Sequence, residues 1–311
     1  MSRSRRFRAA STVAASIAVA AVTGTFALAP ARAATASARA ATSLLHPPRS
    51  IAAYAAELAD GTTGKQLWGR RQYSPRPIAS ITKVMTALVV VQARRLGRRI
   101  KITAADVEYA REHGATSAGL RPGDVLTARQ LLYAMLLPSG ADAAFALASS
   151  FGGRQAFVRK MNTTARRLHL VGTHFATFVG LSLHDHSTPR NLLLLGEAAM
   201  KQLVISDIVA RRRYLLHAGP HHHRYLWQNT NLLLGRYPGA IGIKTGWTPS
   251  AGECLLFEAT HNKRVLIGVV LDSAPSKTGA TFTDAARLLN WGFGLQNAVR
   301  MPRPPAGGPA E

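Results

Sequence analysis

Apolar positions recur along this chain at two periods, and the change from one to the other divides it into three stretches. Strand-like stretches come first, over 51–58 and 65–69, separated by the turn formers Asp60-Gly61-Thr62-Thr63-Gly64. Ser80 to Gln92 is apolar nearly all round, as expected of a central helix buried on every side. Helical spacing then continues over 104–111, 127–136, 141–151, 153–168 and 188–203. Strand character resumes over 225–228, 241–245, 252–260 and 264–272, and a last amphipathic helix is predicted over 281–291. Pro249-Ser250-Ala251-Gly252 and His261-Asn262-Lys263 supply the turns between the later strands. Closely spaced strands joined by short turns pair antiparallel. The reading is therefore α/β: an antiparallel sheet flanked by helices, made from the first and last stretches, with the helical stretch inserted as a second lobe.

The two ends stand outside that pattern. Met1 to Ala10 carries Arg3, Arg5, Arg6 and Arg8, Ser11 to Pro30 is apolar and alanine-rich, and Ala31-Arg32-Ala33 offers small residues for cleavage. That is the layout of an export signal cut after Ala33; an uncleaved membrane anchor is the alternative, since the apolar run approaches spanning length. The expected organisation is a signal over 1–33, a linker over 34–48, one catalytic domain over 49–297 and a disordered proline- and glycine-rich tail over 298–311. The product would be extracellular, or face the cell wall or periplasm.

Charge sharpens the choice of partners. The chain carries +24, and losing the five arginines of residues 1–33 would leave +19. Clusters such as Arg94, Arg95, Arg98, Arg99 and Lys101 would attract polyanions, which outside a cell means anionic wall polymers and lipid headgroups. Any one cluster also fits a plain solvated face. No recognition motif or interleaving of aromatic and basic residues points to nucleic acid. Cys254, the single cysteine, cannot form an internal disulfide and sits in a strand-like stretch, which reads as a buried small hydrophobe.

Candidate chemistry lies in three separated motifs. Ser80 and Lys83, three residues apart, share one face of the predicted helix. A lysine held neutral could take the proton of a serine nucleophile there. Alone, the pair fits a capping serine with a solvated lysine better than a catalytic pair. Pro138-Ser139-Gly140-Ala141-Asp142 and Lys244-Thr245-Gly246-Trp247 follow in order and at wide spacing. With them the chain resembles the D-alanyl-D-alanine carboxypeptidases, the low-molecular-mass penicillin-binding proteins, from about Ile51 to Phe293. Connecting segments such as Leu120-Arg121-Pro122-Gly123-Asp124 and His186-Ser187-Thr188-Pro189-Arg190 share the likeness.

The resemblance implies a β-lactamase/transpeptidase-like fold and a serine acyl-enzyme, with no metal and no cofactor. Ser80 would be the nucleophile, Lys83 its base and Ser139 a proton relay. A nearby Lys244 would favour a neutral Lys83 by repulsion. Lys244 and Thr245 would bind the carboxylate of a terminal D-alanine, Gly246 would leave a strand edge open for the peptide, and the amides of Ser80 and Trp247 would form the oxyanion hole. The substrate would be a peptidoglycan stem peptide ending in D-Ala-D-Ala, and β-lactams would acylate the same serine.

Two positions depart from the family pattern: Ala141 stands where asparagine is usual, and Thr281 where an arginine often assists carboxylate binding. Lys277-Thr278-Gly279 repeats the third motif but lacks its strand context and reads as a loop. His217 and His221 to His223 lack metal-ligand spacing and read as an exposed hairpin, while His184-Asp185-His186 reads as a loop and helix cap rather than part of a hydrolase triad. The competing functions are a class A β-lactamase, which needs a second-motif asparagine, and a catalytically weak wall-binding relative, which the alanine at 141 keeps open.

Overall fold

The computed structural model describes residues 47–276, 278–295, 300 and 301. The expected signal, nearly all of the linker and tail, and Lys277 lie outside these residues. The chain opens with strands β1 (Ala55–Asp60), β2 (Gln66–Arg70) and β3 (Arg76–Pro77). A single 3₁₀ turn, Ala79–Ile81, leads into helix α1 (Thr82–Gln92). The helical stretch holds β4 (Arg99–Lys101), α2 (Ala104–Glu112), β5 (Val125–Thr127), α3 (Ala128–Leu136), α4 (Ala141–Ser150) and α5 (Arg154–Arg167). It ends with β6 (His186–Ser187), α6 (Pro189–Met200) and α7 (Leu203–Val209). Strands β7 (Arg213–Leu216), β8 (Tyr225–Gln228), β9 (Ala240–Thr248), β10 (Gly252–His261) and β11 (Arg264–Leu271) precede the last helix, α8 (Ala280–Phe293).

Five strands form the antiparallel sheet in the order β2-β1-β11-β10-β9, so the chain's first strands join its last ones at the β1–β11 pair and β9 lies at an edge. Register sets Lys244 opposite Leu256 and Thr245 opposite Leu255. Successive side chains of a strand point to opposite faces, and both faces here are covered. Leu256, Ile267 and Val269 belong to the core shared with the helical lobe, which β10 and β11 meet through α6. Leu255, Phe257 and Leu266 meet Leu288 and Leu289 of α8. That double covering is why β10 and β11 read as almost unbroken apolar runs.

Local side-chain caps mark three helix starts. Thr103 with Asp106, and Thr127 with Gln130, form capping boxes at α2 and α3, and Thr188 caps α6 with proline at its first position. α8 has no side-chain cap of its own. The buried Glu253 of β10 supplies it, accepting from the backbone N–H groups of Thr278, of Gly279 at 2.6 Å and of Thr281 at 3.0 Å.

Tertiary contacts override the sequence pattern at several places. Residues 51–53 are not strand: the Asp284 carboxylate of α8 accepts from Ala52 N at 2.9 Å and Ala53 N at 2.8 Å, so their amides bond a side chain instead of a ladder. The helix expected over 188–203 is two, breaking at Lys201-Gln202. The ribbons β3–β6 and β4–β5, two or three residues long, are too short to show a period, and β7 has only four residues. The histidine run lies at the turn between β7 and β8, where His223 Nδ1 is 2.8 Å from Asp124 Oδ1. Cys254 is fully buried, and burial pushes its thiol up to about 12.

Candidate active site

Ser80 lies in the 3₁₀ turn just ahead of α1 rather than within the helix's first turn. Two close approaches hold that turn. A side chain at Gly180 would come within 1.9 Å of Ala79 O, so only glycine lets residues 176–182 rest against it. A side chain at Gly246 would meet Ile78 O at 3.0 Å and Ser80 N at 3.1 Å, so the missing Cβ brings β9 up to the turn that carries Ser80. That is a packing reason for Gly246 in addition to an open strand edge. Ala79, at φ +46°, carries the left-handed kink that turns β3 into the helix.

Lys83 points from α1 toward Ser80 and is 2% exposed. Its Nζ lies 2.8 Å from Ser80 Oγ, 3.2 Å from Val179 O and 3.4 Å from Ser139 Oγ. Ser139, at φ +73°, is held in left-handed backbone that directs its hydroxyl to the lysine. Lys244, 1% exposed on β9, donates to Thr245 O at 3.1 Å and approaches Thr245 Oγ1 at 3.4 Å. Trp247 pairs with Glu253 across the ladder, and its indole N–H donates to Pro275 O at 3.3 Å. The first two motifs therefore meet at one amine, while the third reaches the same turn through Gly246.

Two buried carboxylates organise the surrounding loops, and the sequence reading gave neither this role. Asp142 accepts from Ser117 Oγ at 2.6 Å, from the amides of Ala118 and Ala143 at 2.9 and 2.8 Å, and from Leu120 N at 3.3 Å. Asp185 accepts from Ala176 N and Thr177 N, both at 2.8 Å, from Ser182 N at 3.1 Å and from Thr177 Oγ1 at 2.5 Å. The peptide segment it gathers includes Val179, whose carbonyl touches Lys83. Burial raises the Asp185 carboxyl while these bonds pull it down, and burial is the larger effect. His186 takes no part: its Nδ1 is 3.1 Å from His184 O and its backbone pairs with Pro77. Ala141 is fully buried and donates its N–H to Thr116 O at 2.7 Å.

The sequence profile described as D-alanyl-D-alanine carboxypeptidase matches residues 40–275. The chain belongs to that family. It is 39% identical over 260 residues to the D-alanyl-D-alanine carboxypeptidase of Streptomyces sp. strain K15, an alignment covering 79% of this chain and 89% of the relative. Similarity to a Mycobacterium tuberculosis D-alanyl-D-alanine carboxypeptidase is 36% over 242 residues, covering 76% and 81%. Among solved structures, the Streptomyces K15 DD-transpeptidase superposes with a TM-score of 0.76 at 37% identity, covering 80% of this chain and all of that one. A carboxypeptidase structure from M. tuberculosis H37Rv gives 0.74 at 33% identity, covering 83% and 97%. This D-alanyl-D-alanine carboxypeptidase family member is thus a serine peptidase with the β-lactamase/transpeptidase-like fold.

Proposed function

We propose that this chain is an exported D-alanyl-D-alanine carboxypeptidase that trims peptidoglycan stem peptides through an acyl-enzyme at Ser80 and is acylated there by β-lactams. The observation that carries the proposal is the 2.8 Å contact between Lys83 Nζ and Ser80 Oγ, with Ser139 on the same amine. Taking an ammonium out of water disfavours its charged form, the condition a base lysine must meet. In the reaction Ser80 Oγ bonds to the carbonyl carbon of the penultimate D-alanine and its proton passes to Lys83. The amides of Ser80 and Trp247 hold the oxyanion, each worth about 3 kcal/mol where geometry is good. The C–N bond then breaks, Ser139 relays the proton to the departing D-alanine amine, and water releases the acyl group. Lys244 and Thr245 bind the terminal carboxylate, with the peptide laid along the edge of β9.

The catalytic domain spans 49–297, preceded by a 34–48 linker and by a 1–33 signal cleaved after Ala33, and followed by a 298–311 tail. Anionic wall polymers suit the basic surface. Third-motif function is assigned to Lys244, whose strand context supports it, and not to Lys277.

Intact-mass analysis after exposure to a labelled penicillin, followed by peptide mapping, tests the proposal. The expected result is one adduct on the Ser80 peptide, lost together with D-alanine release in Ser80→Ala. Full labelling of that variant would sink the assignment. The alanine at 141 gives a second test. Asparagine there would restore one or two polar contacts worth about 0.5–3 kcal/mol each, so Ala141→Asn should raise kcat/KM for D-alanine release roughly tenfold or more. A neutral result in a well-folded variant would mean that the pocket has reorganised around alanine.

A further inference from the structure

Thr230 sits in the turn after β8, at some distance in sequence from all three motifs, yet its hydroxyl lies 2.6 Å from Thr245 Oγ1. The turn is firmly held. Asn229 donates its side-chain amide to Val209 O at 3.1 Å and Arg211 O at 3.0 Å, while its Oδ1 accepts from Asn231 N at 2.9 Å. The Thr230 N–H donates to Leu137 O at 3.1 Å, tying the turn to the segment that carries Ser139. Thr230 thus spans the second motif's loop and the third motif's strand.

A hydroxyl has one proton to give and two lone pairs with which to accept. Thr245 Oγ1 has two polar neighbours: Thr230 Oγ1 at 2.6 Å and Lys244 Nζ at 3.4 Å. As the cation that the carboxylate role requires, Lys244 can only donate to it. The Thr230 proton has two destinations, Thr245 Oγ1 at 2.6 Å and Leu137 O at 3.5 Å. Either hydroxyl could donate across the 2.6 Å contact, but with Thr245 as the donor the Thr230 proton would be left with only Leu137 O, at 3.5 Å and already served by the Thr230 amide, so donation by Thr230 is the better network. With Thr230 and Lys244 both donating, the two lone pairs of Thr245 are filled and its own proton must point elsewhere. We infer that Thr230 is a positioning residue that turns the Thr245 hydroxyl into an obligate donor to the substrate's terminal carboxylate. This rests on the proposed role of Lys244 and Thr245 in carboxylate binding. Without Thr230, the Thr245 proton is free to rotate away, and the carboxylate loses a charge-assisted bond or meets it only part of the time.

The test compares two substrates in the full-length protein, a peptide ending in D-Ala-D-Ala and the same peptide as its C-terminal amide. Thr230→Val removes the hydroxyl at nearly constant shape and keeps the amide bond to Leu137. The ratio of kcat/KM values, acid over amide, is expected to fall about tenfold, the usual loss for a hydrogen bond to a charged group. Thr230→Ser should restore it. In a Thr245→Val background the Thr230→Val change should have no further effect on the ratio. An equal loss on both substrates, or no rescue by serine, overturns the inference, because a purely structural role would not distinguish acid from amide. If Thr245→Val lowers the ratio and Thr230→Val does not, the inference fails while the carboxylate reading stands. If Thr245→Val itself leaves the ratio unchanged, the carboxylate reading fails and takes the inference with it. Should Thr230→Val fold poorly, Thr230→Ala removes the same hydroxyl without added bulk and reads out the same way.

Discussion

The two flanks of Ser80 are held in different ways. On one side stands β9, whose backbone is fixed by a ladder to β10 that runs unbroken from Gly242 to Thr248. On the other, residues 176–182 and 117–120 have no ladder and are gathered by one buried carboxylate each, Asp185 and Asp142. A ladder spreads its hydrogen bonds over many main-chain groups, so most single side chains can change without moving it. A loop gathered on one carboxylate concentrates its hydrogen bonds in a few atoms, and removing that side chain leaves several buried donors unpaired at once. Position in this site is therefore robust on the strand side and brittle on the loop side.

Asp185→Ala is the harshest test of that contrast. It strands three amides and a hydroxyl, and stability measured by urea unfolding should fall by about 4 kcal/mol, with D-alanine release falling at least tenfold in the fraction that folds. A loss below 1 kcal/mol would show that water takes over these donors and that the loop is not brittle. On the strand side the corresponding change has the opposite sign. Glu258 lies on β10, and burial first, then the charge of Glu197, push its carboxyl up to about 7. A raised acid binds its proton more tightly folded than unfolded, so the folded state gains protons between about 4.5 and 7 and its stability declines as pH rises through that window. Glu258→Gln should therefore stabilise the protein by up to about 3 kcal/mol at pH 8 and leave it little changed at pH 4. Equal shifts in melting temperature at both pH values would count against a buried, proton-holding carboxylate.

The smallest stability effect is expected where the strand side does depend on a single position. Gly246→Ala places a methyl 3.0–3.1 Å from Ile78 O, Ala79 Cβ and Ser80 N, all of them stiff neighbours. Overpacking of this kind costs about 1–3 kcal/mol, but a shift of the nucleophile turn by a fraction of an ångström should lower acylation by penicillin about a hundredfold. Unchanged acylation would mean that β9 can retreat without carrying Ser80 with it.

The same contrast decides what could be read from the sequence. Ser80 and Lys83 are three residues apart across the junction of the 3₁₀ turn and α1, so their meeting is a local matter, and the apolar runs of α1, β10 and β11 follow from burial on all sides. The order of the three motifs carried the rest through the family resemblance. Asp142 was in view within the second motif and Asp185 within His184-Asp185-His186, but nothing in spacing says that a buried aspartate will collect four donors from residues up to 25 positions away. Thr230 was invisible for the same reason: its partners, Leu137 and Thr245, lie 93 and 15 residues off. Glu253 as the cap of α8 is another long-range case, since helix starts are sought in the residues just before them.

Cys254 carries a practical consequence. Its thiol is fully buried, pushed up to about 12, and donates to Ala251 O at 3.4 Å, so the nucleophilic thiolate barely forms at neutral pH. The native protein is therefore almost silent toward maleimides and other thiol reagents, and no cysteine need be removed before adding one. Leu183, 67% exposed at the tip of the segment that Asp185 gathers, is a natural place for it. A fluorophore on Leu183→Cys would watch the brittle flank alone, against a background with no other reactive sulfur, while a peptide or a penicillin is added.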